Sequence, residues 1–184
     1  METYIAYHCG PALAGMKPAN LVACYKRDYP NVHRELEQFN NCLGRSGIVL
    51  QPLCECEKRV LLLAYREQVL YTHVLQPEIQ AFLYAFGYPA DGTLDQYLAV
   101  LKLRLQCNDK EFPHEIGAFL GYPVYDIESF IACRGKGYLF SGEWKVYHNE
   151  RAAKETFSKY QACRQAILKK MKEGETLIQL FCTV

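Results

Sequence analysis

Residues 48–66 read IVLQPLCECEKRVLLLAYR, and this stretch decides the fold class. Two apolar runs flank a short charged turn, which favours two extended segments. So few linking residues make the two strands antiparallel neighbours. Pro52 has no amide hydrogen to give a ladder, so its strand is expected at a sheet edge or with a bulge there. Cys54 and Cys56 are two residues apart and share one face of a strand. They lack the usual two-residue spacer of a metal half-site and have no second half nearby, so the pair reads as packing.

Upstream of this hairpin, Asn31 precedes Val32, Leu36, Phe39 and Leu43. Their spacings of four, three and four predict a helix capped by Asn31 and ended by GRSG at 44–47. Nearer the start, ETYIAYHC (2–9) reads as a first strand stopped by Gly10 and Pro11. PANLVACYKRD (18–28) reads as a helix with Pro18 in its first turn.

Downstream, from about residue 67 to 133, apolar residues recur three and four apart and predict a run of helices. KGYLFSGEWKVYHN (136–149) reverts to strand character. Residues 150–173 form an amphipathic helical pattern, basic in its last turns and followed by Gly174. TLIQLFCTV (176–184) is expected as a closing strand.

AFLYAFGYPADGTLDQYL (81–98) and IGAFLGYPVYDIESFI (116–131) echo each other around Gly-Tyr-Pro. Gly87 and Gly121 can adopt the left-handed conformation that ends a helix, and Pro89 and Pro123 forbid its continuation. Two stacked helical hairpins follow, with Tyr88 and Tyr122 covering the corners. The expected fold is α+β: a small, mostly antiparallel sheet formed by both ends of the chain, packed with helices. A helical-hairpin insert (66–133) lies between strands 3 and 4, within a single globular domain spanning 1–184.

The chain has 184 residues, half of them apolar, enough for one core. A formal charge of +1 provides no overall field for nucleic acid or an anionic membrane, so neither is expected as a partner. The longest apolar run is far below the roughly 20 residues of a membrane helix, and no basic segment with an apolar signal core opens the chain. A cytoplasmic location is expected. The nine cysteines are odd in number and scattered, which reads as reduced thiols.

Two constellations could carry chemistry. In HCGPALAGMKP (8–18), Cys9 stands before a turn with His8 and Lys17 close in sequence. A thiolate stabilised by such neighbours is a nucleophile. His114 follows Pro113 in a helix's first turn, where neutral imidazole is favoured as a base, with Glu115 or Asp126 to orient it. That order suits a cysteine-dependent hydrolase or acyl transferase; a buried, inert Cys9 and a helix-capping His114 are the simpler readings. The second constellation is a site for a small anionic or aromatic ligand, built from His8, Gly10, Lys17, Trp144, Lys145 and Tyr147. No metal site is expected, and the sequence leaves any cofactor unknown. The helical insert is a further candidate surface for a protein partner. Binding or interaction ranks above catalysis.

Three stretches, HCGPALAGMKPANL (8–21), FPHEIGAFLGYPVYDIESFI (112–131) and SGEWKVYHNERAAKETFSKYQACR (141–164), carry a family resemblance. Together, in this order, they resemble a bacterial family known as domain of unknown function 3793. The resemblance covers nearly the whole chain and implies a stand-alone cytoplasmic protein with no activity to carry over. Its motif positions here are His8, Cys9, Gly10, Pro11, Lys17, Pro18, Pro113, His114, Glu115, Gly121, Tyr122, Pro123, Trp144, Lys145 and Tyr147. GEWKVYHN departs from the family's usual aromatic before Trp and Gly-Asp after Tyr.

Overall fold

The computed structural model describes residues 1–106 and 112–182. Its centre is a three-stranded antiparallel sheet of β1 (Ala19–Tyr25), β2 (Ile48–Glu55) and β3 (Arg59–Arg66), in the order β1-β3-β2. Both expectations for Pro52 are met, because β2 is an edge strand and its register shifts between Pro52 and Cys54.

Alternation along β3 divides the interior in two. Val60, Leu62 and Ala64 face one apolar cluster, whereas Leu63 and Tyr65 face another. The first cluster is covered by α1 (Glu2–Leu13), α2 (Val32–Leu43), α8 (Glu150–Lys172) and the short α9 (Leu177–Phe181). The second is covered by α3 (Glu67–Val74), α4 (Pro77–Tyr84), α5 (Leu94–Gln106), α6 (Ile116–Phe119) and α7 (Val124–Ala132). These five helices are the insert between β3 and β4 (Phe140–Ser141), which pairs with β5 (Lys145–Val146). The class is therefore α+β, a small antiparallel sheet packed with helices.

Four local expectations are corrected. Residues 2–9 are helical, because Ile5, Cys9 and Leu13, four apart, bury one stripe against the sheet and α8. Their aromatic and β-branched content imitated a strand, and packing overrode propensity. Residues 19–25 are a strand: Val22 and Cys24 enter one cluster and Ala19 and Leu21 the other, and the ladder to β3 satisfies the backbone. Leu177–Phe181 is a helix, since the Thr176 hydroxyl and the Gln179 side chain form a reciprocal capping box. Finally, β4 and β5 pair only with each other, so the main sheet comes from one stretch of the chain and not from both ends. The hairpin is tied to α7 through a side chain instead, Trp144 donating to Asp126.

The second helix matches its expectation, with Val32, Leu36, Phe39 and Leu43 all buried; Asn31 stands at the cap without a side-chain cap bond. The echoed corners are matched Schellman turns. Tyr88 N–H donates to the Leu83 carbonyl and Gly87 N–H to Tyr84; Tyr122 N–H donates to Gly117 and Gly121 N–H to Ala118. Both glycines have positive φ, +86° and +73°. At Gly121 the lack of a side chain has a second use, since a Cβ would come 2.6 Å from Pro18 Cδ. The corner thereby seats the insert against the entry to β1.

Candidate functional site

Asp126 organises the site. It lies in the first turn of α7 and is 3% exposed. A buried carboxylate requires donors, and here Trp144 Nε1 donates at 2.8 Å, Tyr147 N at 2.9 Å and His148 N at 3.1 Å. The β4–β5 hairpin is thus tied to α7 through one side chain. From the other side, the Trp144 ring meets Phe157 of α8 edge-on at 4.5 Å and tilts against Tyr122 at 5.2 Å. Gly142 permits this, because a Cβ there would come within 2.4 Å of the Phe157 ring.

Between α6, α7 and the hairpin is a cavity of about 340 Å³. Phe112, His114, Tyr122, Phe130, Trp144 and Lys145 form much of its wall, and Leu21 of β1 reaches it. The His114 ring stands edge-on to Phe130 at 4.8 Å. The Lys145 ammonium donates to the Gly135 carbonyl at 2.7 Å and lies 4.8 Å from the Tyr138 ring and 5.6 Å from the Phe130 ring. It keeps further N–H donors beyond that bond, since an ammonium has three. The wall carries the Lys145 ammonium, the His114 imidazole and the Asp126 carboxylate, the last engaged by the hairpin's donors, so the aromatic chamber can hold a flat molecule by its faces and an acidic group at Lys145.

Of the six residues expected to bind ligand, the structure brings Trp144 and Lys145 to this cavity. Tyr147 contributes its backbone N–H to Asp126, and its hydroxyl has no partner among the described residues. Lys17 lies behind the wall. Its ammonium is 5.5 Å from the Tyr122 ring, 5.4 Å from the Tyr160 ring and 4.0 Å from Glu143, which also binds Arg164 at 2.7 and 2.9 Å. Burial lowers Lys17 to about 8 despite Glu143. Gly10 is a helix contact, where a Cβ would lie 2.9 Å from Ile167 Cδ1. His8 is exposed on α1 beside Tyr4 and Tyr7, its basicity lowered by desolvation and then by Arg164.

The residues expected to catalyse are not assembled. Cys9 is fully buried in the cluster on the α1 face, and desolvation pushes its thiol up to about 12, outweighing Lys17 and Arg164. His114 lines the cavity on the other side of the sheet. Glu115 is buried in an ion pair with the Arg104 guanidinium and accepts from the Tyr88 hydroxyl at 3.5 Å. Asp126 is an anchor for the hairpin, with its oxygens committed to donors there.

Sequence reasoning missed Phe112, Tyr122 and Phe130 as cavity residues, and treated Asp126 only as an orienting acid. The signal for Asp126 was an acid three residues after a helix-starting proline, with a tryptophan downstream in need of an acceptor. On the insert's outer side, Tyr84, Leu103, Tyr125 and Ile131 are exposed. Among the described residues no group of three or more His, Cys, Asp or Glu could hold a metal ion, and no helix is long and apolar enough to cross a membrane.

A family model described as "Protein of unknown function (DUF3793)" matches residues 5–181. Neither the curated proteins nor the solved structures include a match to this chain.

Proposed function

Because the chain belongs to the DUF3793 family over nearly its whole length, and that family has no characterised activity to lend it, we propose a function from geometry alone: binding of a small aromatic acid. The ligand occupies the cavity between α6, α7 and the β4–β5 hairpin. One observation carries this reading: His114, just before α6, meets Trp144 and Lys145, neighbours in the β4–β5 hairpin, at one aromatic chamber of about 340 Å³.

The flat part of the ligand lies among Phe130, Trp144 and Tyr122, where offset and edge contacts are favourable. Its carboxylate meets the Lys145 ammonium, already oriented by Gly135 and screened from water by the Phe130 and Tyr138 rings. Cysteine-dependent catalysis is not carried forward, since Cys9 and His114 face opposite clusters.

Trp144 is the sole tryptophan, so its emission reports on this cavity alone. The test is a panel of aromatic carboxylates, from benzoate to indole and naphthalene acids, read by Trp144 fluorescence and isothermal titration. Saturable quenching is expected, weakened roughly 10-fold or more in Lys145→Met, as one lost charge-assisted bond implies. No quenching by any member, or equal binding by Lys145→Met, would reject the proposal.

A further inference from the structure

We propose that two copies of this chain pair about a two-fold axis, the basic loop 133–139 of each entering an apolar, acidic groove between α4 and α7 of the other. The groove is open and about 610 Å³ in volume. Ala81, Phe82 and Ala85 line it from the α4 side, and Val124, Ile131 and Ala132 from the α7 side. Among the described residues its charged members are Glu78 and Glu128. Spacings of three, four and seven from Glu78 put Ala81, Phe82 and Ala85 on one face, and spacings of four and seven from Val124 do the same for Glu128 and Ile131. The ligand cavity uses another face of α7, that of Asp126, Ile127 and Phe130. The two sites are therefore independent.

The groove's complement leaves the end of the same helix. In the loop, Arg134 and Lys136 are exposed, and so are Tyr138 and Leu139, at 43% and 60%. Its backbone is fixed before any partner arrives. Arg134 N–H donates to the Ile131 carbonyl at 3.2 Å, Gly135 N–H to Phe130 at 2.8 Å and Lys136 N–H to Cys133 at 3.0 Å, while the Lys145 ammonium donates to the Gly135 carbonyl at 2.7 Å. A loop ordered in advance lowers the entropy cost of association. None of residues 133–139 lines the groove of its own chain. Glu78, Glu128, Arg134 and Lys136 form no ion pair among the described residues, so all four charges are open to a partner.

Charge and adjacency identify the occupant as a second copy. Ala132 lines the groove and Cys133 opens the loop, so an acidic, apolar hollow and a basic, apolar projection are neighbours on one surface. A surface that carries both halves of a match pairs with itself, because a two-fold axis beside the end of α7 makes each contact twice and closes the assembly. Groove against groove would set carboxylates against carboxylates, and loop against loop would set cations against cations. Loop against groove is the arrangement in which opposite charges meet. Tyr138 and Leu139 gain apolar cover from Phe82, Val124 and Ile131, which drives association, while exposed ion pairs chiefly set the register.

The experiment is sedimentation velocity of the full chain across a concentration series, with folding of every variant checked by Trp144 emission. Wild type is expected to pass from monomer to dimer with a midpoint of roughly 10 μM. By symmetry each substitution acts at two contacts. Glu78→Lys/Glu128→Lys and Arg134→Glu/Lys136→Glu should therefore each weaken dimerisation roughly 30-fold or more. An equimolar mixture of these two variants should dimerise again, since every groove then meets a loop of opposite charge. Leu139→Asp should weaken wild-type pairing roughly tenfold through lost apolar contact. A wild type still monomeric at about 200 μM would overturn the proposal and leave the groove to a different protein. Charge-reversed variants that dimerise as well as wild type, or a mixture that stays monomeric, would overturn it as well.

Discussion

On the α1–α8 side of the sheet, Cys9, Cys24 and Lys17 are all buried, and burial shifts each toward its neutral form. On the α6–α7 side, His114, Trp144 and Lys145 border an open cavity. Both sides carry a lysine. They differ in whether water and solutes can reach them, which depends on the elements stacked above. On the first side a 23-residue helix, α8, lies across α1; on the second, a short hairpin is held at arm's length by Asp126. A nucleophile or a cation in the sequence is chemistry only where the packing leaves it a solvent-facing neighbour.

The comparison is most directly broken by releasing the hairpin. Asp126→Ala leaves the indole N–H and two backbone N–H groups without their acceptor, and is expected to cost about 3 kcal/mol or more in urea unfolding. Trp144 emission should shift to the red. Wild-type stability and emission in this variant would mean that the hairpin is held by its ring contacts alone.

The sealed side is tested through Lys17. Its folded value of about 8 lies below the ordinary 10.5, so the unfolded chain binds the proton more tightly. The resulting penalty is fully present below about pH 8 and disappears as pH rises towards 10.5. Lys17→Met should therefore be more stable than wild type at neutral pH by roughly 3 kcal/mol, with the gap closing across that window. Cys9 and Cys24 are raised and act oppositely, losing stability as pH climbs past their unfolded values. The difference between the two unfolding curves isolates Lys17; a constant gap would show that it is not buried as a cation.

The seam between the sides is probed by the matched corners. Gly121→Ala introduces strain at φ +73° and a Cβ against Pro18, whereas Gly87→Ala introduces strain at φ +86° with nothing within 4 Å. Thermal unfolding should show a loss of about 1 kcal/mol for Gly87→Ala and about 2–3 kcal/mol for Gly121→Ala. Equal losses would mean that Pro18 gives way freely.

The smallest expected energetic effect, and the sharpest contrast in access, comes from cysteine alkylation mapped by mass spectrometry. Backbone N–H groups at the turn lower Cys56, while burial raises Cys9 to about 12. Cys56 should label near neutral pH and Cys9 only on unfolding, with no dependence on His114→Ala. Fast labelling of Cys9 in the folded protein would return it to consideration as a nucleophile.

Much of the framework was legible in local pattern. The β2–β3 hairpin, the bulge at Pro52, the stripe of Val32, Leu36, Phe39 and Leu43, the helical insert and the paired glycine corners all follow from spacings within a few residues. In each, periodicity or a backbone requirement acts on neighbours in sequence. The exchange of helix and strand over residues 2–25 shows the boundary of that method. IAYHC and LVACY are similar in composition, and only the partners each meets, α8 for the one and β3 for the other, separate them.

The candidate site divides in the same way. Trp144, Lys145 and His114 were chosen from their residue types and local setting, and those properties belong to the chain itself. That they share one cavity, that Lys17 stops behind Tyr122, and that a sheet separates Cys9 from His114 were decided by tertiary structure alone. Side-chain type and period are set by neighbours along the chain, whereas access, desolvation and the meeting of distant residues are set by neighbours in space.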